Sequence, residues 1–221
     1  MNAPARLRID FVSDVVPVVR SRPGQPGTGA GEIDGSVEAD IHLQPFELNP
    51  QMPFEGEDAG EHIMHKYDID EAQLETNRAA IRDRAAPLGV AINTRAGSRV
   101  WNTFDAHRLL HWTERRDPGK AVALKQALFR AYFTDNQNVA DRDVLVRIAQ
   151  GIGLDGNDAR RMLESGEYAG EVRAQEQRWQ QAGIHSVPAT VVNGQYLIPG
   201  GQPPEVFENA LREIATKAAG N

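Results

Sequence analysis

Residues 189–198 constrain the fold of this chain more than any other stretch. Ala189-Thr190-Val191-Val192 is a short, largely β-branched run, Asn193-Gly194 follows it, and Tyr196-Leu197-Ile198 returns. Asn-Gly accepts the positive φ values of the two-residue turn whose twist matches paired strands, so the segment predicts a β-hairpin. Pro203-Pro204 then opens a last helix to about Lys217, with Val206, Phe207, Ala210, Leu211 and Ile214 on its inner face. Two more strands stand at the opposite end of the chain. Leu7–Val12 alternates enough to read as one, and Val37–Leu43 alternates apolar and polar residues cleanly.

The stretch from Gly56 to about Leu163 is helical in character. Leu74, Arg78, Ile81 and Ala85 recur at helical spacing until Pro87 and Gly89 stop them. A second helix opens at Phe104 behind Asn102 or Thr103 as N-cap, and Ala121–Phe133 is a third. Asp141–Gln150 and Asp155–Leu163 are shorter helices, and Tyr168–Ala182 is a longer one ended by Gly183. The order strand, irregular segment, strand, helical block, helix, hairpin, helix predicts an α/β fold whose sheet is interrupted by a helical insertion.

Composition excludes several function classes. A formal charge of −7 opposes the broad basic footprint of a nucleic-acid binder, and Arg82, Arg84, Arg95, Arg99, Arg115 and Arg116 lie among or near acids as a solvated mixed-charge face. No apolar run reaches membrane-spanning length, and Met1–Arg6 has no apolar leader core, so a cytoplasmic location is expected. Of the 221 residues none is cysteine, which removes disulfides, cysteine zinc sites and thiolate catalysis. His107 and His111 share a helical face, but no Glu completes a metal motif, and His62 with His65 is weaker. No metal and no cofactor are expected.

Several motifs carry a resemblance. Gly183-Ile184-His185-Ser186-Val187-Pro188-Ala189-Thr190 with its hairpin looks like the cis-proline loop of the thioredoxin fold. Gln44-Pro45-Phe46-Glu47-Leu48-Asn49-Pro50, Asn102-Thr103-Phe104-Asp105-Ala106-His107-Arg108, Phe129–Phe133 and Gly200–Pro204 resemble segments of the FrnE-type, DsbA-like thiol–disulfide oxidoreductases. The likeness covers nearly everything outside residues 15–35. It implies a thioredoxin-like domain made of 1–55 and 184–221, with 56–183 as the helical insertion and the helix that returns to the sheet. It also implies an extended peptide or protein thiol/disulfide as partner. Ser186, Val187 and Pro188, with Asn102 and His107, are the implied substrate contacts, and the Val187–Pro188 bond is implied to be cis.

The family's C-P-W-C motif is absent where it belongs, near Val16–Val19. Ser13-Asp14-Val15-Val16 matches the approach to it, yet Pro17–Gly31 carries three prolines and four glycines and cannot form the expected helix. Nor is it a phosphate loop. Glu32 stands where a third glycine is needed, and no helix follows. A displaced reading frame accounts for the patch. Codons available to Pro17–Arg22, CCC GTG GTG CGT AGT CGG, preceded by TG, read in the shifted frame as Cys-Pro-Trp-Cys-Val-Val. The register returns by about Ile33. No catalytic residue is therefore expected, and the chain should be inactive in disulfide exchange. Two other functions remain open: a non-catalytic peptide-binding module, and a glutathione-dependent isomerase or transferase of the kappa type using Ser13.

Overall fold

Leu7, Ile9 and Phe11 point to a core while Arg6 and Arg8 face solvent, and this alternation builds the central strand β1, Ala5–Ser13. The structure, a computed structural model, describes residues 5–14, 30–33 and 37–219. The other strands of the main sheet are β2 (Ala30–Ile33), β3 (Val37–Pro45), β6 (Ala189–Val192) and β7 (Tyr196–Pro199), in the order β2-β3-β1-β6-β7. β3 runs parallel to β1, Ile9 facing Ile41, whereas β6 and β7 are antiparallel. β2 was not expected: Ala30-Gly31-Glu32-Ile33 has little strand pattern and lies in the Pro/Gly-rich patch, yet it pairs antiparallel with the start of β3. The remainder of that patch lies outside the described residues.

The hairpin turn has the backbone that Asn-Gly predicts, with φ of 52° at Asn193 and 67° at Gly194. Asn193 also fixes the turn to β1. Its N–H donates to the Arg8 carbonyl at 2.8 Å and its Oδ1 accepts from the Arg8 N–H at 3.0 Å.

The helices are α1 (Ala59–Tyr67), α2 (Glu71–Ala85), α3 (Phe104–Arg116), α4 (Pro118–Phe129), α5 (Arg142–Gly151), α6 (Gly156–Ser165), α7 (Ala169–Gln181) and α8 (Pro204–Ala219). A short antiparallel pair, β4 (Glu57–Asp58) and β5 (Arg99–Val100), brackets α1 and α2. Asp58, Asp70, Asp141 and Asp155 cap their helices by accepting backbone N–H bonds. The third helix does not run evenly to Phe133. From Arg130 to Thr134 it widens into a π turn.

Three apolar clusters hold these layers together. α8 lays Leu211, Ile214 and Ala215 on Leu7, Ile9, Val37 and Val192, whereas Val206, expected inside, is 44% exposed. α7 brings Trp179 against Val12, Phe46 and Val191. The helical block has its own core around Leu109, Leu124, Leu128, Leu145 and Leu163, and joins the sheet through Phe11 and Leu43. Arg108, almost fully buried, fastens this block: its guanidinium donates to the carbonyls of Met162, Leu163 and Glu167 at the end of α6. A cation at a helix C-terminus satisfies orphan carbonyls and complements the dipole.

Candidate functional site

The β1–β6 register ends with Val12 opposite Ala189, so one step further sets Pro188 beside Ser13. The Val187–Pro188 bond is cis. Ser186 is exposed and Val187 and Pro188 are half-buried, with Val187 resting on the cluster of Val12, Phe46 and Trp179. The Pro188 carbonyl accepts from the Gly200 N–H at 2.8 Å, which ties the loop to the end of β7.

One residue beyond Ser13, Asp14 joins four parts of the molecule. Its carboxylate accepts from the Leu48 N–H at 2.9 Å and from the Thr103 hydroxyl, and it pairs with His107 Nε2 at 3.2 Å. Its carbonyl accepts from Lys125 Nζ. Asn102 Oδ1 accepts the Phe104 N–H at 3.0 Å, and the N-cap residue Thr103 makes no side-chain cap bond. Burial works to raise the Asp14 carboxyl, but His107, the Leu48 N–H and Thr103 together hold it below the usual carboxylate range. An anion at the N-terminus of α3 is further favoured by the helix dipole.

Lys125 is buried without a carboxylate directly on its ammonium. Desolvation lowers its pKa to about 8, with the nearby Asp14 charge opposing the shift. Between pH 8 and 10 the folded chain therefore sheds a proton that the unfolded chain keeps, and stability rises with pH there. From pH 7.5 to 9.5 this contributes about 2 kcal/mol. Lys125→Met should lack that increment when urea midpoints are compared at the two pH values. An equal rise in both proteins would refute the assignment.

A second group of charges, two buried carboxylates and an exposed arginine, adjoins the first. The Glu47 N–H donates to Glu176 Oε1 at 3.2 Å, and Arg173 bridges the carboxylates of Glu47 and Glu176 while lying 3.8 Å over the Phe104 ring. Burial, and then the Glu176 charge, push the Glu47 carboxyl up, with Arg173 opposing both.

On its other side Asp14 lines a cleft of about 410 Å³ between α1, α2, the loop after β3 and the π turn. Its walls include Trp101, Tyr132 and Phe133. Ile81, taken above as part of a helical stripe, opens onto this cleft and is 54% exposed.

The structure thus brings the five expected contact residues to two places. Ser186, Val187 and Pro188 form the accessible loop. Asn102, just ahead of α3, and His107, on it, stand apart from the loop: Asn102 bonds Met52 and Phe104 backbone atoms, and His107, 2% exposed, bonds Asp14. His111 pairs instead with Glu171 at 3.0 Å, and His62 bonds Glu57 and Asn49. Val16–Val19 lie outside the described residues. Asp14 and Lys125 are the parts of the site that pattern reading passed over, as is Arg108 in the helical block. Asp14 and Arg108 each stood within a quoted motif, whereas no motif points to Lys125.

A family model for the DSBA-like thioredoxin domain matches residues 31–212. The chain belongs to this family. Among solved structures it resembles a probable DsbA oxidoreductase from Streptomyces coelicolor, with 30% identity, 94% of this chain and 89% of that one covered, and a TM-score of 0.79. Among curated proteins it matches the uncharacterized protein YwbO of Bacillus subtilis, 27% identical over 181 residues, 81% of this chain and 84% of that protein. A 2-hydroxychromene-2-carboxylate isomerase aligns over 96% and 98% of the two chains at a TM-score of 0.64 but 12% identity, a likeness of fold alone. Among the described residues, the side-chain atoms Ser13 Oγ, Thr190 Oγ1, Glu47 Oε1 and Trp179 Nε1 are buried with no hydrogen-bond partner. No helix among the described residues is long and apolar enough to cross a membrane.

Proposed function

We propose that this chain is a FrnE-type member of its family that has lost thiol–disulfide exchange and retains the polypeptide-binding edge at Ser186, Val187 and Pro188. The observation that carries the proposal is the register of β1 against β6. It brings the Pro188 loop beside Ser13, where a redox pair would begin three or four residues on, in a chain without a single cysteine. Exchange needs a thiolate to attack and a mixed disulfide to resolve, and a serine hydroxyl forms no such bond. Backbone pairing with an extended partner needs no sulfur.

The family match begins at Gly31, immediately past most of the Pro/Gly-rich stretch, which supports a displaced frame as the origin of the loss. The division into 1–55 with 184–221 around 56–183, and a cytoplasmic location, belong to the same proposal. Asn102 and His107 enter it at one remove, by holding Thr103 and Asp14 under the strand end. Glutathione binding through Ser13 is disfavoured, because Ser13 is fully buried and Asp14 beside it is held as an anion that would repel a thiolate.

Fluorescence anisotropy with labelled, carboxymethylated insulin B chain tests the edge, since this extended peptide has its thiols blocked. Saturable binding is expected, weakened at least about tenfold when alternate peptide nitrogens of the probe are methylated, because a methylated nitrogen donates no backbone bond. No turnover is expected in insulin reduction. Methylation-insensitive binding, no binding, or measurable turnover would each defeat the proposal.

A further inference from the structure

Six large apolar side chains are exposed among the described residues, and three of them, Leu48, Tyr67 and Ile81, line the cleft beside Asp14. Exposed apolar surface gathered in a concavity marks a place that a ligand covers. The inner wall agrees with this. Trp101 stands there with Tyr132 and Phe133, and the last two come from the π turn, which presents two consecutive aromatic residues to one space. Such turns recur at functional sites. A volume of about 410 Å³ lies in the range of small-molecule pockets.

Arg78 indicates the class of ligand. It is only 9% exposed, it lines the cleft, and its sole hydrogen bond among the described residues runs from Nη1 to Glu75 Oε1. A guanidinium has five N–H donors in a fork shaped for a carboxylate, so most of this one is unspent. Gly60 on α1 lies beside it, where a Cβ would stand 3.6 Å from Nη2, in ordinary contact. Lys66 adds a second cation to the lining, with Nζ on the Leu48 carbonyl and Asn49 Oδ1. The only carboxylate among the described lining residues is Asp14, whose charge is already met by His107, Thr103 and the Leu48 N–H.

We propose that this cleft binds an organic carboxylate with an apolar body, the carboxylate on Arg78 and the body against Trp101, Tyr132 and Phe133. The cleft shares Asp14 and Thr103 with the strand end beneath the peptide edge, but the proposal does not rest on peptide binding. Isothermal titration of the intact chain with decanoate, 2-naphthoate and decyltrimethylammonium tests this. One-to-one binding of at least one carboxylate is expected, at least about tenfold tighter than the ammonium, and the tighter of the two acids identifies the body as alkyl or aryl. Arg78→Met keeps the aliphatic stem and should cost about tenfold in affinity. Glu75→Gln, at an exposed position, releases the guanidinium and should tighten binding, an arm that stands whether or not the Arg78 variant folds. Saturation by neither acid, equal binding of the ammonium, or an affinity unchanged by Glu75→Gln would overturn the proposal.

Discussion

Protein made from a coding sequence with two bases, TG, restored ahead of the Pro17 codon, and the frame returned before Ile33, is expected to gain insulin reductase activity from none. The restored stretch reads Cys-Pro-Trp-Cys-Val-Val, directly after Asp14-Val15-Val16. The gain is all-or-none, because exchange without a thiol has no slower version to fall back on. Lys125, whose ammonium donates to the Asp14 carbonyl, places a cation three residues ahead of this stretch, against the Asp14 carboxylate. A folded restored protein that leaves insulin intact would break the link between this chain and an active ancestor. Resequencing the gene gives an independent test: an uninterrupted frame encoding Pro17–Gly31 as it stands would end the displaced-frame account and leave a genuine loss of the motif.

Asp14→Ala should destabilise the fold by about 3–5 kcal/mol, the cost of removing a buried charged acceptor and leaving its donors unpaired. His107, the Leu48 N–H and the Thr103 hydroxyl would all lose their acceptor together. Because the Asp14 pKa is lowered on folding, its contribution is complete above the unfolded carboxylate pKa and disappears as pH falls through the folded one. The urea midpoints of the two proteins should therefore differ most near neutrality and converge in acid. A loss below about 1 kcal/mol at pH 7 would mean that burial costs Asp14 as much as its bonds return.

Local rules made much of the fold legible. β-Branched runs, Asn193-Gly194, the capping aspartates at 141 and 155, and Gly183 each act within a few residues, and each element formed where its pattern lay. What stayed hidden was set by distance along the chain. Asp14 meets Leu48, His107 and Lys125 at separations of 34, 93 and 111 residues, and no spacing rule reaches so far. The segment Ala106-His107-Arg108 carried half of the answer. Neighbouring helix positions point roughly 100° apart. His107 therefore turns toward the end of β1 while Arg108 turns toward the end of α6. Val206 misled for the opposite reason, since an apolar residue at helical spacing says nothing about whether a neighbour arrives to cover it.

The bonds between Asn193 and Arg8 span 185 positions, and β1 has β6 as its immediate neighbour. During synthesis from the N-terminus, β1 leaves the ribosome early and waits with one edge open until the hairpin at 189–199 emerges. The helical block, whose contacts are mostly internal to residues 104–168, can consolidate in the meantime. A chain released before Ala189 would keep that edge bare, so premature termination should yield insoluble fragments with intact helices.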